Sequence, residues 1–189
     1  MSIKFKRVAA VAASSMLGVG ALVGIAAAPA HAASPIKVTY NCTSSTGAST
    51  LTFTFSTPSG LTVKAGKAFS LNVSASVAPD AKTNSTAGSL GITATDGHGA
   101  ATFQIKGGGK LTGTLAAGKT PLGSPSKTSG KVSGKAPAKK GKYTISLAPF
   151  TSANPLTFTE GLYGGPLDGQ TTSVKCTGSG TGSWTLTVK

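Results

Sequence analysis

Beyond residue 33, hydrophobic and polar residues alternate along the chain in short runs separated by glycine, proline, asparagine and aspartate. In the longest run, Phe69, Leu71, Val73, Ala75 and Val77 occupy every second position. A two-residue period places successive side chains on opposite faces of a β-strand. The same pattern predicts strands at 36–40, 51–55, 90–95, 101–105, 111–115, 143–147, 156–158, 173–176 and 184–188. No sustained helical period follows Ala33, so no helix is expected there.

Short alternating runs with regular turn residues are typical of an all-β protein. We therefore predict one domain, residues 33–189, folded as an antiparallel β-sandwich or barrel. Asp96 and Gly97 read as a hairpin turn, because Asp-Gly is a common hairpin dipeptide. The three glycines at 107–109 read as a second hairpin loop.

Residues 118–141 interrupt this rhythm. The segment is rich in lysine, glycine, serine and proline and poor in hydrophobic residues. Such a composition buries too little apolar surface to offset the entropy lost on ordering. We expect a flexible basic loop here, with a short strand around Val132 as an alternative.

The first 32 residues predict a signal peptide. Lys4, Lys6 and Arg7 precede an uncharged, small and apolar run, which ends in the Ala30-His31-Ala32 cleavage pattern. Cleavage there leaves no transmembrane span in the mature form and predicts a secreted protein, possibly associated with the cell wall. In an exported chain, Cys42 and Cys176 are expected to form a disulfide.

The layout resembles a group of secreted immunoglobulin-like β-sandwich domains that are common in actinobacteria and whose role is largely undefined. The matching features are Tyr40-Asn41-Cys42 just after the signal, the turn at 63–67, the alternating run at 69–77 and the late Cys176. The resemblance implies a fold, a disulfide and an envelope location, and it carries over no catalytic residue. The lysine-rich segment departs from the pattern of that group.

Charge gives the clearest functional indication. The chain after Ala33 holds fifteen lysines, no arginine and four acidic residues, and nine lysines fall in the acid-free stretch 97–159. Lysine is a flexible point charge without the rigid fork with which arginine recognises phosphates and bases. We expect non-specific adhesion to anionic cell-wall polymers or other extracellular polyanions, and no sequence-specific nucleic-acid binding. The predicted contact residues are Lys127, Lys131, Lys135, Lys139, Lys140 and Lys142; their alternative role is to keep a loop soluble.

The sequence contains few residues that could take part in catalysis. His98 with Asp96 is the one acid–imidazole pair, and its glycine-flanked setting indicates a solvated turn more than a catalytic site. Glu160 and Asp168 bracket a glycine-rich stretch containing Tyr163, which is a possible recognition loop unless Tyr163 lies in the core. No spacing typical of a zinc, iron or calcium site occurs, and no cofactor is expected.

The sequence thus predicts a secreted, non-enzymatic binding or structural module of the cell envelope. A secreted inhibitor of an extracellular hydrolase is the first alternative, and a small extracellular hydrolase the second. Oligomeric state is left open by the sequence.

Overall fold

A computed structural model describes residues 33–189 of the chain. The predicted signal peptide lies outside the described residues. The strands are β1 (Ile36–Ser44), β2 (Gly47–Ser56), β3 (Leu61–Val63), β4 (Ala68–Pro79), β5 (Ala94–Ile105), β6 (Gly109–Pro121), β7 (Ser126–Lys135), β8 (Gly141–Leu147), β9 (Leu156–Tyr163), β10 (Thr171–Thr177) and β11 (Trp184–Val188). A helix, α1 (Ala81–Ser89), joins β4 to β5, and one 3-10 turn (Gly165–Leu167) follows β9.

All eleven strands belong to one sheet, and eight of them close into a ring. The ring runs β5-β6-β7-β4-β2-β1-β10-β9, and β9 pairs again with β5. Each of these neighbouring pairs is antiparallel. Strands β8, β11 and β3 extend from β5 beyond the ring.

The all-β class is confirmed, but the pairing differs from the two separate sheets expected of an immunoglobulin-like sandwich. The cause lies in β5, a strand of twelve residues with two partners along the same edge. Its first half pairs with β9 and its last residues, Phe103 to Ile105, pair with β8. One long strand therefore joins the halves that a sandwich would keep apart.

The residues expected to form a hairpin turn, 96–99, lie inside β5. Asp96, Gly97, His98 and Gly99 all pair in register with β9. The turn-like dipeptide is held extended by its pairing with β9, whereas on the β6 side Asp96 lies at a β-bulge and Gly97 pairs with Ala117. The hairpin predicted at 107–109 is confirmed between β5 and β6, where Gly107 and Gly109 adopt positive φ angles of 77° and 104°.

The flexible loop predicted at 118–141 is wrong for most of its length. Residues 126–135 form β7, which pairs with β4 on one side and β6 on the other. Backbone hydrogen bonds on both edges hold this strand, although Val132 is its only fully buried side chain. Glycine permits the close approach: a Cβ at Gly130 would lie 2.1 Å from the carbonyl oxygen of Thr114.

Helix α1 was not expected either. Asp80 caps its first turn by accepting a 2.7 Å hydrogen bond from the backbone N–H of Thr83. The helix buries none of its residues, so it has no apolar stripe for a helical period to reveal.

The predicted disulfide is confirmed. Cys42 and Cys176 are opposed in register on β1 and β10, with their Cα atoms 4.0 Å apart. At the other end of the ring the interior is solidly packed around Trp184 and Phe103, whose ring centroids are 5.2 Å apart. Leu71, Leu111, Ile145 and Leu186 complete this buried centre.

Candidate functional site

Strand register brings nine lysines to one end of the molecule. At this end β4, β6 and β8 begin and β5, β7 and β11 finish. Hydrogen bonds tie its loops together: the Ala136 N–H donates to the Lys67 carbonyl at 2.8 Å, and the Lys106 N–H donates to the Thr144 carbonyl at 2.9 Å. We call this surface the basic end; its lysines, all exposed, are Lys64, Lys67, Lys106, Lys110, Lys135, Lys139, Lys140, Lys142 and Lys189.

The four acidic residues of the described chain lie at the opposite end. Asp80 follows the end of β4, Asp96 lies near the start of β5, Glu160 near the end of β9, and Asp168 in the turn beyond. No acidic side chain in residues 33–189 thus belongs to the basic end, and its charge is uncompensated locally. The strand directions, rather than composition alone, produce this separation.

The predicted lysine cluster is divided by the fold. Lys127, Lys131 and Lys135 recur at every fourth position along the outer face of β7, where all three are exposed. Lys139, Lys140 and Lys142 lie beyond that strand, at the basic end. Four of the six predicted residues therefore belong to the basic end, whereas Lys127 and Lys131 lie along the side of the ring. Sequence spacing missed the contributions of Lys64, Lys67, Lys106, Lys110 and Lys189, which only strand pairing brings there.

A cavity of about 170 Å³ lies within the ring at the acidic end, and its lining extends to exposed residues such as Pro121 and Gly123. Its wall is mainly apolar and includes Leu51, Phe53, Leu115, Phe158 and Leu162. Helix α1 covers it, contributing Thr83, Asn84 and Ala87 to the lining. This cavity could not be predicted from the sequence, because alternation indicates which face of a strand is covered and not whether the space between the strands is filled.

Buried polar atoms occur among the residues that line this apolar space. Tyr40 belongs to the lining and is fully buried, yet its hydroxyl has no hydrogen-bond partner among the described residues. The Oδ1 atom of Asn84, in the covering helix, also has no partner there. Burial raises the pKa of Tyr40 to about 12, which keeps its hydroxyl protonated and able to donate.

Glu160 belongs to the same cavity and not to a surface loop. It lies in β9 opposite Gly97 of β5 and is part of the cavity lining. Burial raises the pKa of its carboxyl above the ordinary value, the negative charge of Asp96 acts in the same direction, and a hydrogen bond with Thr95 opposes them. Burial therefore disfavours the charged form of Glu160 relative to a carboxyl group in solution.

Tyr163 forms a network on the outer surface of the ring. Its hydroxyl donates to Oδ2 of Asp96 at 2.6 Å, while the N–H of Gly161 donates to Oδ1 at 3.1 Å. The Nζ atom of Lys119 lies 4.0 Å from the centroid of the Tyr163 ring, in a cation–π contact. Asp168 accepts a 2.8 Å hydrogen bond from the Gly164 N–H. Glu160 is thus part of the cavity lining, whereas Tyr163 lies outside it with Asp168 close enough to raise the pKa of its phenol; a recognition role for this stretch stays a prediction.

The Asp96 carboxylate is engaged by Tyr163 and Gly161, and His98 is exposed two residues further along the outer face. Within residues 33–189, no group of three or more histidine, cysteine or acidic side chains is placed to hold a metal ion. In the same part of the chain, no helix is long and apolar enough to cross a membrane.

Comparisons with known proteins returned no matching family model, no matching curated protein and no matching solved structure. The basic end and the ring cavity are therefore interpreted from their own geometry.

Proposed function

We propose that this protein is a secreted, non-enzymatic binding module of the cell envelope, which attaches to anionic cell-wall polymers or other extracellular polyanions through its basic end. The observation that carries the proposal is the gathering of nine exposed lysines at one end, with every acidic residue of the described chain at the other. The disulfide supports the extracellular location, because disulfides persist in oxidising compartments.

Adhesion fits these lysines better than recognition of a defined ligand. Each is exposed on a long flexible side chain, and the described chain contains no arginine to fix a phosphate by two parallel hydrogen bonds. Tyr143 is the aromatic residue nearest to Lys139 and Lys142, but its hydroxyl is bound to the Lys139 carbonyl at 2.8 Å. Affinity would then come from counterion release along a charged polymer, which makes it strongly dependent on salt.

The test is binding to immobilised poly(glycerol phosphate) over a series of salt concentrations. The first variant replaces Lys106, Lys110, Lys139, Lys140 and Lys142 with glutamine. The matched control replaces five lysines outside the basic end, Lys37, Lys82, Lys127, Lys131 and Lys175, and so removes the same charge. We expect the first variant to lose roughly tenfold or more in affinity at low salt and to show a shallower salt dependence, whereas the control loses about threefold or less.

Equal losses in the two variants would show that total charge, and not the basic end, determines binding. Binding of the unsubstituted protein that does not weaken as salt rises would overturn the electrostatic mechanism itself. Circular dichroism of each variant checks that the fold is retained.

A further inference from the structure

The cavity inside the ring is independent of the basic end and has the features of a ligand site. Its volume of about 170 Å³ is close to that of an engineered apolar cavity of about 150 Å³ that accepts benzene. Native interiors are otherwise packed with few voids larger than a water molecule. A space of this size, enclosed by a continuous ring of strands, is therefore a property that needs an explanation.

The wall is formed by residues that leave room rather than fill it. Ala101 and Ala117 present only methyl groups to the interior, and Gly97 presents none. Larger side chains at these positions would be ordinary in a sheet core, as Leu111 and Phe103 show at the packed end of the same strands. The cavity thus results from small residues at inward positions of β5 and β6.

The unpartnered polar atoms indicate the class of ligand that fits the cavity. Buried hydroxyl and amide groups are normally hydrogen-bonded, because a buried polar group loses its bonds to water and is costly to leave unpaired. Tyr40 and Asn84 are lining residues that each carry such an atom, one in the wall and one in the covering helix. A ligand that supplies a hydrogen-bonding group here satisfies atoms that the protein leaves unpaired.

We propose that the cavity binds a small uncharged amphiphile, a molecule with one ring or a short alkyl chain and a single hydroxyl group, held by apolar contacts along the ring and a hydrogen bond from Tyr40. The apolar wall disfavours anionic ligands, because an anion would be desolvated there without a partner and the Glu160 carboxyl belongs to the same lining. The class is thus a phenol or a short alcohol rather than a carboxylate or a phosphate.

The experiment compares p-cresol with p-xylene by isothermal titration calorimetry. The two ligands have nearly the same shape and differ by one hydroxyl group. We expect both to bind, p-cresol with a dissociation constant below about 1 mM and more tightly than p-xylene. Tyr40→Phe should reduce the affinity for p-cresol by roughly fivefold to tenfold and leave the affinity for p-xylene unchanged, because only p-cresol loses a hydrogen bond. 4-Methylbenzoate, the charged analogue, should bind at least about tenfold more weakly than p-cresol.

Ala117→Phe is designed to occupy the space itself. Binding of both ligands should be lost while the melting temperature is unchanged or higher, since the added ring fills a cavity. If this variant does not fold, Ala117→Leu provides the same test with a smaller side chain. The proposal is overturned if neither ligand binds the unsubstituted protein, if a folded filled variant still binds, or if Tyr40→Phe weakens both ligands equally. None of these results bears on polyanion binding.

Discussion

The hydroxyl of Tyr163 donates a 2.6 Å hydrogen bond to Oδ2 of Asp96 and thereby joins the two strands that close the ring. Tyr163 is in β9 and Asp96 in β5, and the Gly161 N–H adds a second hydrogen bond to the same carboxylate. The bond to Asp96 is the main cause that raises the pKa of the Tyr163 phenol.

Tyr163→Phe should therefore lower the stability of the protein, because it removes the hydrogen bond to the Asp96 carboxylate and keeps the ring against Lys119. Urea denaturation measures the change. Tyr143→Phe is the matched control, since its hydroxyl bonds a backbone carbonyl at an exposed site; a loss as large as that of Tyr163→Phe would show that the Asp96 contact has no special role.

Glu160→Gln should change how stability depends on pH. The folded protein raises the pKa of Glu160 above its ordinary value of 4.5, so it holds that proton more tightly than the unfolded chain does. The stabilisation that the Glu160 carboxyl contributes is fully present below its pKa in the unfolded chain. It is lost as the pH rises through its higher pKa in the folded protein. We expect the melting temperature of Glu160→Gln to exceed that of the unsubstituted protein at about pH 7, with the difference vanishing by about pH 4.

Asp80→Asn should change the pH dependence of stability in the opposite direction. Hydrogen bonds from Thr83 lower the pKa of Asp80, so its contribution is present at neutral pH and is lost as pH falls through that lowered value. The variant should melt at a lower temperature than the unsubstituted protein near neutrality and approach it in acid. Parallel pH profiles for the two variants would contradict both assignments.

Gly99→Ala should destabilise the closure between β5 and β9. A Cβ at Gly99 would lie 2.5 Å from Cβ of Phe158, too close for either strand to keep its position. The expected loss is about 1–3 kcal/mol, the usual range for overpacking. Gly118→Ala is the control, because a Cβ at Gly118 meets nothing within 4 Å. Denaturation midpoints compare the two, and equal midpoints would show that the ring tolerates a wider separation of the strands.

Replacing Cys42 and Cys176 together with alanine should lower the free energy of unfolding by up to about 4–5 kcal/mol, because the disulfide closes a long loop in the unfolded chain. The sequence separation of 134 residues makes that loop nearly the whole of the described domain. Urea denaturation in the absence of reductant measures the difference. An unchanged midpoint would mean that strain in the native state offsets the entropic gain.

Features that depend on one strand and its own side chains were predictable from the sequence. The alternation of Phe69, Leu71 and Val73 gives β4, and the glycines at 107–109 give the hairpin. Cys42 and Cys176 needed only the export signal and their number. In each case the residues concerned carry the structural preference themselves.

Features that depend on pairing between strands could not be predicted from the sequence. Residues 126–135 are polar and glycine-rich, and they form a strand because β4 and β6 supply hydrogen bonds on both sides. Asp96 and Gly97, which favour a turn, are extended because β9 pairs with both of them. Glu160 was read as part of a loop because its two faces are distinguishable only once β9 is placed against β5.

The separation of the lysines from the acidic residues gives the molecule an electric dipole directed along the axis of the ring. In the field of a negatively charged surface, such a dipole turns its positive end toward the surface before contact. The end covered by helix α1 then points to the surrounding medium, so an attached molecule would keep its helix-covered face open to small solutes.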